Sequence, residues 1–157
     1  MTRALTIAAA VMLAAGSAAW AGPAEDATAS ITAVMDKFNA GDFDAFVAAH
    51  QDGALIVDEI PPYVWGGSGS IQRWGADYEK DSQARGISGG RVDLDKPLQA
   101  TSDGRSAYVV MPSTYRFVQN GTKMAARGSM TFVMSPSGAG WKIASWTYSG
   151  SAPTPEN

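Results

Sequence analysis

Two adjacent carboxylates, Asp58 and Glu59, follow a short apolar run and are the best candidates in this sequence for acid–base chemistry. In a strand, consecutive side chains point to opposite faces, so we expect only one of the two to meet the interior. A carboxylate at the rim of an apolar cavity has a raised pKa, because burial disfavours its charged form, and it can then act as a base. We therefore predict Asp58 or Glu59 as the catalytic group. The alternative is a structural hydrogen bond to an amide or a tyrosine.

The one histidine, His50, falls on the apolar stripe of a predicted short helix, in its last turn. There an imidazole can hydrogen-bond the carbonyls that end the helix, and we favour this interpretation over proton transfer. The chain has no cysteine, which excludes disulfides, thiolate zinc sites and a cysteine nucleophile. A single histidine also excludes a multi-histidine metal site. We expect neither a metal nor a cofactor.

Aromatic and methionine side chains could line a cavity that binds a small organic ligand. Large rings supply most of the contact area in such sites, and methionine adapts to irregular ligands. The candidates are Tyr63, Trp65, Trp74, Tyr78, Met111, Tyr115 and Met130. Trp146 is a further aromatic that could line a cavity. The alternative is ordinary core packing, which we favour for Trp74 and Trp146, whereas Tyr63 and Trp65 lie in a loop framed by proline and glycine. A site for a drug-sized molecule needs about 300 Å³ or more.

Composition and charge limit the classes of partner. The chain has 157 residues, 45% of them hydrophobic and 17% charged, which is typical of one globular domain. A net charge of -3 and a pI near 5.0 argue against a nucleic-acid partner, which requires a basic face. The stretch Gly66–Gly69 lacks the Lys-Ser/Thr ending of a phosphate-binding loop.

The N-terminus has the pattern of a secretory signal peptide. A basic start at Arg3 precedes an apolar run, Ala4–Ala15, and small residues then lead to a cleavage site after Ala21. The run is shorter than the ~20 residues that span a bilayer, so we expect no membrane contact after cleavage. The mature domain is then predicted to be periplasmic or secreted, over residues 22–150, with a disordered tail at 151–157.

Hydrophobic periodicity predicts helices first and strands afterwards. Apolar residues at helical spacing predict a helix from Glu25 to Gly41 and a second that Asp42 caps. A strand at Ala54–Asp58 follows, and a third helix ends at Gly86. From Arg91 onward, alternating residues and turn signals predict an antiparallel meander, so the fold class is α+β.

Asn120-Gly121 predicts a two-residue hairpin turn, which fixes the register of the two strands around it. Counting back from this turn gives the pairs Gln119/Thr122, Phe117/Met124, Tyr115/Ala126, Ser113/Gly128 and Met111/Met130. The opposite face, with Arg116 and Arg127, suits solvent or a partner subunit. In the last strand, apolar residues change parity, from which we infer either a bulge or a strand that is covered on both sides.

These segments together resemble a known family. The stretch Phe38–Phe46, the acidic strand end Ile56–Glu59, the helix around Trp74 and the closing Gly140–Ile143 are similar to the nuclear transport factor 2-like (NTF2-like) superfamily, in its SnoaL-like and ketosteroid-isomerase-like branch. The resemblance extends from Asp26 to Ser149. It implies a cone-shaped, cystatin-like fold, in which three N-terminal helices pack on a curved antiparallel sheet around a pocket.

The resemblance can be carried over residue by residue to the steroid isomerases. Their general-base aspartate falls on Glu59, or on Asp58 with a slip of one residue. Their two oxyanion donors, a tyrosine and a protonated aspartate, fall on Val34 and near Ser129, so both are missing. Each such donor supplies ~3 to 4 kcal/mol. The sequence therefore argues against steroid isomerase activity, with Tyr115 or Tyr78 left as a substitute donor.

Two functions follow as hypotheses. The first is an exported domain that binds an unidentified small organic ligand in an apolar pocket, with weak acid–base catalysis of an isomerase, cyclase or hydrolase type. The second is a non-catalytic interaction module, a homodimer joined through the outer face of the sheet, whose core is filled.

Overall fold

The chain folds in the predicted order, with three helices and a sheet built largely from the later strands. The computed structural model describes residues 22–138 and 140–156, so the predicted signal peptide lies outside the described residues. The helices are α1 (Pro23–Asn39), α2 (Phe43–Ala48) and α3 (Ser70–Arg85). The strands are β1 (His50–Val57), β2 (Val64–Gly67), β3 (Ile87–Leu94), β4 (Gln99–Ser102), β5 (Ala107–Gln119), β6 (Thr122–Ser137), β7 (Gly140–Gly150) and β8 (Thr154–Pro155).

Local sequence signals explain where the helices begin and end. Asp42 caps α2 as predicted, because its Oδ1 accepts a hydrogen bond from the Ala45 amide at 3.2 Å. Gly86 ends α3, also as predicted, with a φ of 65° that favours glycine. The apolar stripe of α1 is buried, and it includes Ile31 and Val34. None of the helices in the described ranges is both long and apolar enough to cross a membrane.

The strand order is β2-β1-β7-β6-β5-β3, while β4 pairs with β5 and β8 pairs with β6. The predicted β5–β6 register is confirmed at every pair, from Gln119/Thr122 to Met111/Met130. Asn120 and Gly121 both have positive φ, as a tight hairpin turn requires. One pairing departs from a pure meander, because β1 runs parallel to β7.

Of the two alternatives for the last strand, the bulge is present. Met134 pairs with Ile143, whereas the preceding Val133 pairs with Ser145, so Ala144 is an extra residue in β7. Both Ile143 and Trp146 are consequently buried against the helices, although they lie three residues apart.

The segment after Gly150 corrects the prediction of a disordered tail. Thr154 pairs with Ala125 of β6, and the Glu156 amide donates to the Lys123 carbonyl at 2.9 Å. The Glu156 carboxylate forms an ion pair with Arg116. Sequence reasoning missed this strand because two prolines dominate a segment that is only two paired residues long.

Candidate functional site

A cavity of about 80 Å³ lies between the helices and the inner face of the sheet. Its lining includes both predicted catalytic carboxylates and the predicted ligand residues Trp74, Tyr78, Tyr115 and Met130. The volume is well below the ~300 Å³ that a drug-sized ligand needs, so the expectation of a ligand of that size is not met. The lining includes large buried side chains such as Phe132 and Trp146.

Asp58 and Glu59 both line the cavity, which corrects the prediction that they point to opposite faces. β1 ends at Val57, so the two carboxylates lie beyond the strand and are free of its alternation. The following prolines, Pro61 and Pro62, explain the early end, because proline cannot donate to a strand ladder.

Asp58 is held in one orientation by two N–H donors. The Trp74 indole Nε1–H donates to Oδ2 at 2.8 Å, and the Glu59 amide donates to Oδ1 at 2.7 Å. Burial raises the pKa of Asp58, and these two hydrogen bonds oppose part of the rise because they favour the carboxylate. Asp58 is therefore a partly desolvated base with a fixed direction.

Glu59 is more exposed than Asp58 and lies nearer the rim. Its pKa is raised, first by partial burial and then by the negative charge of Asp58. The charge of Asp58 therefore disfavours the ionisation of Glu59.

A tyrosine pair lies on another wall. The Tyr78 and Tyr115 hydroxyls are 2.7 Å apart and form a hydrogen bond. Burial raises the pKa of both phenols. Gly90 makes the pair fit, since a Cβ at this position would collide with both hydroxyls. The sequence predicted each tyrosine as a ligand residue, but nothing in it indicated that they are bonded to one another.

His50 begins β1, which corrects its predicted place in the last turn of a helix. The predicted interaction with a helix carbonyl is nevertheless present, because Nδ1 lies 2.7 Å from the Phe46 carbonyl oxygen. Burial lowers the pKa of His50 to about 4, so the ring is neutral at pH 7. A carbonyl only accepts, so Nδ1 carries the proton and Nε2 presents a lone pair.

Two aromatic residues of β7 line the cavity: Trp146, for which core packing was favoured, and Tyr148, which was not among the predicted site residues. Trp146 and Tyr148 are two apart and share the inner face of the strand. Within residues 22–138 and 140–156, the Trp146 Nε1, the Tyr148 hydroxyl and the His50 Nε2 are buried without hydrogen-bond partners. Burial raises the pKa of Tyr148 to about 12. The parity that Tyr148 shares with Trp146 was the signal that could have identified Tyr148.

Three predicted ligand residues are not part of this cavity. Tyr63 is 55% exposed at the surface. Trp65 is buried elsewhere, and its Nε1–H donates to Asp77 at 2.8 Å. Met111 is buried in the core. In the described part of the chain, no group of three or more His, Cys, Asp or Glu residues is arranged to hold a metal ion.

Comparison with known proteins supports the same fold. Residues 27–155 match the SnoaL-like domain family. No curated protein matches this chain. Among solved structures, an NTF2-like superfamily protein from Salmonella enterica is 17% identical, with a TM-score of 0.67 over 83% of this chain and 92% of that one.

Two further structures show how widely the fold is shared. A ketosteroid isomerase-like protein from Erwinia carotovora is 18% identical, with a TM-score of 0.63 over 85% of this chain and 100% of the other. The CaMKII hub of S. rosetta is 20% identical, with a TM-score of 0.65 over 83% of this chain and 98% of the hub. Identities this low establish the fold and leave the activity open. From its sequence match, the chain belongs to the SnoaL-like domain family, and its architecture is the NTF2-like fold.

Proposed function

We propose that this protein binds a small organic molecule in the cavity and transfers a proton to or from it through Asp58. One observation carries the proposal: a partly desolvated carboxylate, oriented by the Trp74 indole, lines the same cavity as buried polar atoms that lack partners among the described residues. Buried polar groups are normally hydrogen-bonded, so a cluster of unpaired ones favours a site that a ligand completes.

Asp58 is the preferred base over Glu59. Two N–H donors fix its direction, and its burial makes its carboxylate less well solvated than that of Glu59. A base of this kind can remove a proton next to a carbonyl group. Glu59, at the rim, is the second candidate.

The sequence suggested that both oxyanion donors of the steroid isomerases are missing, and a tyrosine and an indole of the cavity can replace them. Val34 lies buried in α1, and Ser129 lies on the face of β6 opposite to the cavity-lining Met130, so neither supplies an oxyanion donor. The unpartnered Tyr148 hydroxyl and Trp146 Nε1–H can instead donate to an oxygen that gains negative charge. These donors are on β7, so the arrangement is not that of the steroid isomerases.

Hydrogen–deuterium exchange next to the carbonyl of butanone tests proton transfer without knowledge of the natural substrate. We expect the protein to accelerate this exchange in D₂O, followed by proton NMR, and Asp58→Asn to lower the rate about 100-fold or more. Glu59→Gln is the matched control and should lower it less than tenfold. If neither change lowers the rate tenfold, the carboxylates take no part in proton transfer.

Export is part of the proposal and rests on the N-terminal sequence, Met1–Ala21. Expression of the full chain in a bacterium, followed by fractionation, should give a periplasmic or secreted protein whose N-terminus is Gly22. Native mass spectrometry of that material reports any retained ligand directly. An uncleaved chain in the cytoplasm would contradict the export proposal.

A homodimeric interaction module is the second candidate, and the outer face of the sheet favours it. Two neighbouring cross-strand rows on that face contain no charged residue. They consist of Leu55, Ser145, Val133 and Tyr108, and of Val64, Val57, Thr147, Thr131 and Val110. Leu55 is 47% exposed and Val64 54%, although both are apolar. An exposed apolar patch of this kind is typical of an interface.

Native mass spectrometry distinguishes this candidate from the first. If the rows form an interface, the wild-type protein is a dimer and Leu55→Glu makes it a monomer. Gln72→Glu, on the exposed side of α3, is the charge-matched control and should remain dimeric. A wild-type monomer would exclude the dimeric module and leave ligand binding untouched.

A further inference from the structure

His50 gives the cavity a buried hydrogen-bond acceptor of fixed direction. The side chain is only 4% exposed, and its ring packs against that of Phe46, with centroids 4.6 Å apart. The Nδ1–H donates to the Phe46 carbonyl oxygen, with the nitrogen and oxygen 2.7 Å apart, so Nε2 can only accept. Within the described residues nothing donates to it. A hydroxyl or an N–H from a ligand would complete the hydrogen bonding of this imidazole.

The polar atoms of the cavity are arranged along β7. His50 pairs with Ile143 in the β1–β7 ladder, and Trp146 and Tyr148 follow farther along the same strand. Tyr148 lies toward the carboxylates, whose charges contribute to its raised pKa. The cavity therefore has an acceptor at its histidine end and donors farther toward the carboxylates. Apolar side chains such as Phe132 and Met130 also line it.

The charge and the volume of the cavity further limit the class of ligand that it can bind. An anion would meet the carboxylates of Asp58 and Glu59, and the nearby Arg85 guanidinium already bonds Asp81 at 3.1 Å. A volume of about 80 Å³ is roughly half that of an engineered protein cavity that holds benzene, so we expect a ligand with fewer heavy atoms than the six of benzene.

We propose that the cavity selects small uncharged hydroxycarbonyl compounds, whose hydroxyl donates to His50 Nε2 while the carbonyl oxygen accepts from the Trp146 indole or the Tyr148 hydroxyl. The inference rests on the proposed function, because it names the class of ligand for the same cavity. His50 is in this view the residue that determines specificity, and it takes no part in proton transfer.

Hydroxyacetone and butanone are matched probes, since they have the same number of heavy atoms and differ only in a hydroxyl in place of a methyl. At pH 7 we expect hydroxyacetone to bind about tenfold more tightly, because butanone leaves the buried acceptor unpaired. Nitrogen-15 NMR of the imidazole should show Nε2 shifting upfield with hydroxyacetone and unchanged with butanone. In His50→Leu, with folding checked by circular dichroism, the preference should fall to within twofold.

Equal affinity for the two ketones, or tight hydroxyacetone binding with an unchanged Nε2 resonance, would overturn the inference and leave the cavity as a binding site. Xenon binding, which tests whether the cavity can be occupied at all, distinguishes failure of this inference from failure of the proposed function. If xenon shifts the Met130 methyl resonance but hydroxyacetone does not bind, the hydroxycarbonyl class is wrong. If neither xenon nor either ketone perturbs Met130, both the inference and the proposed function fail.

Discussion

The indole of Trp74 donates a hydrogen bond to the Asp58 carboxylate at 2.8 Å, across sixteen residues of sequence. This bond connects the middle of α3 to the turn after β1. It favours the ionised carboxylate in a place where burial disfavours it. The indole is therefore a positioning group for the proposed base.

Trp74→Phe should move the pH profile of butanone exchange to higher pH. The change removes a hydrogen bond to a charged group, typically about 1.5 to 3 kcal/mol, so Asp58 ionises less readily. Trp65→Phe is the matched control, because that indole bonds Asp77 outside the cavity. A profile that moves equally in both variants would show that packing, and not this bond, sets the pKa of Asp58.

Acid should destabilise the protein through His50. The folded-state pKa of about 4 is below the ordinary value of 6.5, so the unfolded chain binds the proton more readily. The associated stability is present above pH 6.5 and is lost as pH falls toward 4, by about 3 kcal/mol at most. Urea unfolding at pH 7.5 and pH 4.5 measures it, and His50→Leu should lose this part of the pH dependence. An unchanged slope in the variant would assign the acid sensitivity to other groups.

Gly90→Ala should break the tyrosine pair. The new Cβ would collide with the Tyr78 and Tyr115 hydroxyls, which must separate to admit it. We expect a loss of about 1 to 3 kcal/mol in the free energy of unfolding, measured in urea. Gly138→Ala is the control, since a Cβ there has open space, and its effect should stay within about 0.5 kcal/mol. A neutral Gly90→Ala would mean that the pair adds nothing to stability.

The C-terminal segment should limit access to the cavity. Pro153 lines the cavity, and Glu156 anchors the segment to Arg116. A chain that ends at Ser151 should exchange the Trp146 indole hydrogen with solvent about tenfold faster, as followed by NMR, while losing little stability. Glu156→Gln removes only the ion pair and should have a smaller effect, because exposed ion pairs contribute about 0 to 1 kcal/mol. Equal exchange rates in all three proteins would show that the segment does not cover the cavity.

Sequence patterns predicted those parts of the fold that depend on local rules. Asn120-Gly121 requires a particular turn, and this turn alone determines the register of every β5–β6 pair. Alternation failed at Asp58 and Glu59 because β1 ends one residue earlier than predicted. Alternation also does not predict contacts between distant segments, such as His50 with Ile143 or Trp74 with Asp58. Those contacts depend on how the helices pack on the sheet. Most of the site was therefore visible as residue types, while its hydrogen bonding was not.

The single additional residue, Ala144, determines to which face of the sheet each later side chain of β7 points. Without it, Trp146 and Tyr148 would face away from the helices whenever Ile143 faces toward them. The polar lining of the cavity thus depends on one inserted residue. Deletion of Ala144 would turn the Trp146 and Tyr148 side chains away from the interior, although neither residue is itself changed.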